Sequence, residues 1–319
     1  MNENENENDV PAIDIHGHIG DILYPFGGNL IFKTGIKFPP SSIVQVSDEK
    51  NLFRESFPAS IINKIFPMIS TNCERNRNAS ATLENFQESL ADTNIKFSVC
   101  APIAPNNTYE DVLKASEADR RIIAFTSPDF TWRGVNNQNP MKISNEKLMS
   151  DLRGGAMGVK IHPILQEIEA DSDEVMRAVE IISTYSKPIL LHAGQATYYT
   201  PAEDKAKFAE YASIIRIERL ISTFPDANFI IGHAGLREII STIELLPKYK
   251  NTYVDTSFQP PEAIKALISS FGSERVLFAS DWPYGMRKPA ILATKEACGN
   301  DISLQKAILH DNAARLLRL

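Results

Sequence analysis

Eight short apolar runs recur along this chain, separated by stretches with helical spacing. The runs are Val10–Ile19, Ile95–Ala101, Ile122–Thr126, Met157–Pro163, Pro188–Gly194, Asn228–His233, Thr252–Ser257 and Val276–Asp281. Between them, apolar residues at intervals of three and four predict helices over Thr82–Asp92, Thr108–Ala118 and Asn145–Leu152. Further helices are expected from an Asp171-x-x-Glu174 capping box through Ile182, up to about Thr223, and over Leu236–Leu246, Pro261–Ser270 and Ser303–Leu317. Continuous apolar strands suit a parallel sheet covered by helices. Eight such units predict an α/β fold, a (β/α)8 TIM barrel, which needs ~250 residues in its plain form. An open doubly wound sheet is the alternative. No Gly-x-Gly-x-x-Gly turn follows any run, so its dinucleotide-binding form has no support.

The chain has 319 residues, so it leaves room for an insertion. The segment 19–80 lacks clear periodicity, apart from short helical patterns at Glu49–Phe57 and Ile61–Ile69. It is expected to be a cap inserted after the first strand, which either covers the catalytic face or meets a second subunit. The second option would make a homodimer. Residues 1–9, alternating Asn and Glu, are expected to form a disordered acidic tail, and 10–319 one domain. The net charge is −7 and no long basic run occurs, which argues against nucleic acid and anionic membranes as partners. No apolar stretch is long enough to span a bilayer. Three widely spaced cysteines suit a reducing compartment, so a cytoplasmic protein acting on a small-molecule substrate is expected.

The ends of the runs carry the chemistry. In Asp14-Ile15-His16-Gly17-His18, alternation puts Ile13 and Ile15 on one face and Asp14, His16 and His18 on the other. His192-Ala193-Gly194 and His233-Ala234-Gly235 read as parallel constructions, each a strand ending in His with two small residues leaving room beside it. Asp281 closes the last run. Any one of these alone is an ordinary polar strand end. Barrel strands converge at their C-terminal ends, however, and there His16, His18, His192, His233 and Asp281 have the donor types of a metal site.

The chain resembles the amidohydrolase superfamily, in the branch of aminocarboxymuconate-semialdehyde decarboxylase-like enzymes and predicted metal-dependent hydrolases. The segments that carry the resemblance are Asp14–His18, Gly158-Val159-Lys160-Ile161-His162-Pro163, Leu191–Gly194, Gly232–Gly235, Ser280-Asp281-Trp282-Pro283 and Asp311–Leu317. The resemblance implies that His16, His18, His192 and Asp281 hold one divalent metal, expected to be Zn2+. His233 would sit beside the water that the metal activates, and Asp281 would take up its proton. The activity implied is metal-dependent hydrolysis of an amide, lactone or related bond. The alternative is decarboxylation of an unsaturated or aromatic acid. A third reading, a metal-binding barrel without catalysis, is disfavoured by the complete donor set.

Binuclear members carry a carbamylated lysine on the fourth strand, but Lys160-x-His162-Pro163 resembles the mononuclear form. Lys160 is therefore expected as an ammonium that meets a substrate carboxylate or a neighbouring acid. His162 is expected to be structural or to line the pocket. Loop residues Trp132, Arg133, Tyr198, Tyr199, Trp282, Tyr284 and Arg287 are candidates for a flat, anionic substrate, because Arg grips carboxylates bidentately.

Overall fold

The computed structural model describes residues 10–40, 71–130 and 140–319, apart from 197, 200–202 and 204. The eight expected strands are all present: β1 (Ala12–Asp14), β2 (Ile95–Cys100), β3 (Ile122–Ala124), β4 (Val159–Ile161), β5 (Ile189–Leu191), β6 (Phe229–Ile231), β7 (Thr252–Asp255) and β8 (Val276–Leu277). They pair in parallel in the orders β1-β2-β3 and β4-β5-β6-β7-β8. Two seams join these sheets. Thr126 donates to Gly158 and accepts from Lys160. Ile15 donates to Phe278, Asp281 to His16, and His18 to Trp282. The sheet thus closes on itself as a (β/α)8 barrel, and the second seam brings the ends of β1 and β8 side by side.

Alternation sorts the side chains into two apolar layers. Ile13, Val99, Ile123, Leu190, Ile230 and Leu277 belong to one buried cluster. Val159, Ile161, Ile189, Leu191, Phe229, Ile231 and Val254 belong to another, which packs on Val179, Ile182, Leu220, Ile221 and Leu267 of the surrounding helices. Burial on both faces explains why the runs read as continuous rather than alternating.

The helices are α1 (Leu83–Leu90), α2 (Tyr109–Ala118), α3 (Pro140–Arg153), α4 (Asp173–Thr184), α5 (Ile214–Thr223), α6 (Ile239–Leu245), α7 (Pro261–Phe271), α8 (Arg287–Cys298), α9 (Ile302–Lys306) and α10 (Asn312–Leu317). Thr82 caps α1 and Thr108 caps α2 through their hydroxyls. Several boundaries differ from expectation. The cap of α4 is Ser172, because Asp171 is engaged by Arg216 and Arg219. The long helix expected up to Thr223 is broken at Ser213, which is extended (φ −60°, ψ 146°) and separates a 3-10 segment, Ala206–Ala212, from α5. Helix α8 was not expected. Pro289 in its first turn is tolerated, since those N–H groups have no helical partner. The last helix is interrupted by a π turn over Ala307–Asp311.

Of the segment expected as a cap, residues 19–40 and 71–80 are described; the helical patterns at Glu49–Phe57 and Ile61–Ile69 lie outside the described residues. Residues 71–78 are helical and lean on the loops after β5 and β8. Arg75 donates to the Tyr198 carbonyl and pairs with Glu203, and Arg77 donates to the carbonyls of Pro283 and Tyr284. Asn78 accepts from the Tyr284 hydroxyl. No helix among the described residues is long and apolar enough to cross a membrane.

Candidate metal centre

The β1–β8 seam gathers the donors. His16, His18 and Asp281 each offer one atom, and the three lie within 4.8 Å of one another. The Nε2 atoms of His16 and His18 stand 3.4 and 3.3 Å from Asp281 Oδ1. Ligands at ~2.1 Å around one tetrahedral ion are separated by roughly 3.4 Å, so these gaps fit a shared cation. The remaining ring nitrogens are already committed. His18 Nδ1 donates to the Ala101 carbonyl at 2.6 Å, and His16 Nδ1 pairs with Asp255 Oδ2 at 2.7 Å. Such outer partners orient a ligating imidazole. Among the described residues, Asp281 Oδ1 and His192 Nε2 are buried without a hydrogen-bond partner, as expected of atoms that serve an ion. His16, His233 and Asp255 form a second close trio, but the His16–Asp255 hydrogen bond already accounts for it.

Lys160 points inward from β4 and is fully buried. Its Nζ lies 2.7 Å from His16 Nε2. The expected carboxylate partner is thus replaced by an imidazole, and Asp281 and Asp255 act on the ammonium only through their charge. A cation bound at His16 Nε2 uses the same lone pair, so Lys160 must give up this bond when the ion arrives. His162 stacks on His192 with ring centres 4.0 Å apart and planes 10° apart. Its Nδ1 accepts from the Leu165 amide.

His192 and His233 are not the parallel pair their sequences suggest. Leu191 is in register with Ile231, so His192 aligns with Gly232 and His233 falls one residue later. Simple alternation would turn His233 outward. Instead His233, Ala234, Gly235 and Leu236 all adopt positive φ, and this turn brings the imidazole back over the barrel. Its ring stacks 4.7 Å from that of His16. The small residues also serve a different purpose from the expected one. A Cβ on Gly194 would collide with the Gly235 carbonyl, and one on Gly235 with Thr242 Oγ1 and Ile214, so these glycines make room for the packing of the two turns rather than for the ion.

Burial depresses the basicity of every imidazole here. It holds His16, His192 and His233 well below the usual histidine range and His18 at about 3, with the Lys160 charge adding to the effect. Burial raises Asp281 well above the carboxylate range, against the pull of Lys160, and brings Lys160 down to about 8. A divalent ion supplies the missing positive charge and favours ionised Asp281. The imidazoles set the acid limit of the metal-free protein. Their folded pKa values lie below the unfolded value near ~6.5, so below that pH the unfolded chain binds the extra protons. The imidazole contribution to stability is therefore full above roughly pH 6.5 and falls as pH drops toward the folded values, by up to about 1.4 kcal/mol per pH unit for each ring, offset in part by Asp281, which takes up a proton in the folded state. Urea midpoints of the metal-free protein between pH 7 and 5 should fall steeply, and a flat profile would contradict the neutral, buried assignment.

Tyr198 stands edge-on to His162 and His192, and its hydroxyl lies 3.5 Å from His192 Nδ1. Tyr284 faces His18 edge-on and Phe258 adjoins His233. Other candidates sit elsewhere. The Tyr199 hydroxyl donates to the Ile164 carbonyl. Trp282 is 1% exposed and packs between Phe38 and Phe86. Arg287 is 2% exposed, with its guanidinium against Phe86, Trp282 and Asp14. Their reading as substrate contacts is corrected: both are core residues on the helix side of the barrel. Asp14, placed by alternation on the face of His16 and His18, does not join their imidazoles: its carboxylate accepts from the Ser280 amide and hydroxyl and from the His16 backbone amide. Trp132 and Arg133 lie outside the described residues. Asp255 and Ser257 were missed, although they occupy inward positions at the end of the seventh run, where the other strands supply donors.

The sequence model of the Amidohydrolase family matches residues 13–319. No curated protein matches the chain. Among solved structures, a 2,6-dihydroxybenzoate decarboxylase from Rhizobium is similar, with TM-score 0.62 and 14% identity over 97% of this chain and 98% of that one. A 5-carboxyvanillate decarboxylase from Novosphingobium aromaticivorans, complexed with manganese and a nitrobenzoic acid ligand, has TM-score 0.61 and 14% identity over 98% and 97%. A probable 2-pyrone-4,6-dicarboxylic acid hydrolase from Acinetobacter baumannii, with citric acid bound, has TM-score 0.56 and 14% identity over 97% and 99%. At such identities the three likenesses establish the barrel and no reaction. The family match over nearly the whole chain carries more: this protein is a member of the amidohydrolase family.

Proposed function

We propose that this protein is a metal-dependent decarboxylase of an aromatic or conjugated carboxylic acid. The observation that carries the reading is the burial of the centre. His16, His18, Lys160, His162, His192, His233 and Asp281 are each no more than 5% exposed. Loss of carbon dioxide spreads a localised carboxylate charge into a conjugated system, a change that a water-poor site favours. The neighbouring decarboxylases in this fold support the same direction.

His16, His18, His192 and Asp281 would hold the ion, and three imidazoles with one carboxylate suit zinc. When bound, the ion would supply the positive charge that anchors an anionic substrate and stabilises the electron-rich product of C–C cleavage. Lys160, released from His16, would meet a second anionic or phenolic oxygen. Tyr198 and the stacked His162 would flank the substrate plane. His233 would take the proton of the substrate's own carboxyl or phenol group at Nε2 and return it to the carbon that carbon dioxide leaves.

Hydrolysis, the first expectation from the sequence, is the second reading, supported by the pyrone dicarboxylate hydrolase of the same fold. Protein supplied with zinc or manganese should release carbon dioxide from hydroxybenzoates or unsaturated diacids, measured as headspace gas. It should release no acid from lactones or amides in a pH-stat. Acid release without carbon dioxide would reverse the order of the two readings.

A further inference from the structure

Strand β7 and the turn after it contribute no donor to the metal trio, yet one inward residue from each, Asp255 and Ser257, touches the imidazoles that matter most. Asp255 Oδ2 lies 2.7 Å from His16 Nδ1. Asp255 Oδ1 accepts from the backbone amides of His233 at 2.9 Å and Ser257 at 3.0 Å, and contacts Ser257 Oγ at 2.5 Å. Ser257 Oγ in turn lies 2.7 Å from His233 Nδ1. All three residues are buried, at 3% exposure or less. Gln259 donates to the His233 carbonyl at 2.6 Å, so the left-handed backbone of His233 is held on both sides.

The direction of each bond follows from counting protons. Backbone amides only donate, so Asp255 Oδ1 is an acceptor. A hydroxyl has one proton, and Ser257 gives it to Oδ1 across the 2.5 Å contact. Ser257 Oγ therefore meets His233 Nδ1 with a lone pair, and Nδ1 must carry the hydrogen. At His16, the Lys160 ammonium has protons but no lone pair, so His16 Nε2 accepts and Nδ1 donates to Asp255. We infer that Asp255 and Ser257 are positioning residues that fix the tautomers of His16 and His233, so that both rings present an Nε2 lone pair to the centre. One carboxylate thereby keys a metal ligand and the acid–base residue together. His233 begins its cycle as a proton acceptor.

The inference rests on the role given to His233 above, but its test needs no substrate, so failure of the decarboxylase reading leaves the result intact. Long-range proton–nitrogen correlation spectra of [15N]histidine-labelled full-length protein, metal-free and with diamagnetic Zn2+, report which ring nitrogen holds the proton. The His233 signals are assigned by their loss in His233→Gln. Wild-type protein should show His233 protonated at Nδ1 and bare at Nε2. Ser257→Ala should replace this pattern with averaged shifts, and Ser257→Thr should restore it. Asp255→Asn should weaken Zn2+ binding by roughly 10–100-fold in competition with a chelator. A wild-type His233 proton on Nε2 overturns the inference, as does a Ser257→Ala spectrum identical to wild type. Unchanged Zn2+ affinity in Asp255→Asn overturns the His16 half. The wild-type spectrum is decisive even if a variant does not fold.

Discussion

Asp281→Ala and His192→Ala should lose bound metal and turnover together, whereas His233→Ala should keep most of its metal and lose roughly 10²–10⁴-fold in rate. Asp281 is the hub of the donor trio, with Oδ1 facing the Nε2 atoms of both His16 and His18, so its removal takes away both charge and geometry. His192 offers a buried Nε2 with no hydrogen-bond partner among the described residues, which makes an ion the simplest way to satisfy it. His233 differs in its connections. Both rings stand outside the trio of His16, His18 and Asp281, but His233 Nδ1 is taken by Ser257 and its Nε2 is 3.9 Å from Asp281 Oδ2, whereas His192 keeps an Nε2 without a hydrogen-bond partner among the described residues. Without its ring those three donors remain, and what goes is a proton acceptor held above them. Metal content by atomic emission and kcat, measured side by side, separate the roles. If His233→Ala is as metal-free as His192→Ala, then His233 is a ligand and the single-metal assignment fails.

Much of this arrangement is legible from pattern alone, because barrel geometry converts strand order into spatial proximity. Eight apolar runs with His or Asp at the ends of the first, fifth, sixth and eighth place those residues on one rim, whatever the exact strand limits. What pattern cannot give is direction at a strand end. His233 follows Ile231 by two, and alternation alone would turn it outward. Four successive left-handed residues reverse that, and nothing in the composition of His233-Ala234-Gly235-Leu236 announces it except the glycine. Asp255 and Ser257 escaped notice because Asp and Ser near a strand end are common, and their partners His16 and His233 are remote in sequence. Helix α8 escaped because Pro289 looks like a breaker when its place in the first turn is unknown. Arg287 and Trp282 were misread for the opposite reason. An Arg and a Trp just after a ligand look like substrate contacts, yet the loop that follows Asp281 returns them to the helix layer.

Arg287→Met should lower stability by about 3–5 kcal/mol, because it leaves the Asp14 carboxylate buried without its cation. Both groups are fully enclosed, and their Nε–Oδ2 separation is 3.5 Å. Burial pushes Asp14 up and Arg287 down, so each resists its charged form and depends on the other to keep it. The pair itself need not be favourable relative to an apolar pair of the same shape. Asp14→Asn combined with Arg287→Met should therefore recover much of the loss, since the methionine fills the space against Phe86 and Trp282 and the amide still accepts from Ser280. The consequence reaches the site through one hydrogen-bonded step. Asp14 holds the amide and hydroxyl of Ser280, whose neighbour is Asp281, itself in a left-handed conformation (φ 55°). The single variant should thus bind metal more weakly as well as unfold sooner, and the double variant should regain stability first. Urea unfolding of the metal-free proteins and chelator competition measure the two effects separately. If Arg287→Met is as stable as the parent and instead raises KM for an anionic substrate, the guanidinium reaches the pocket in solution and its assignment to the core is wrong.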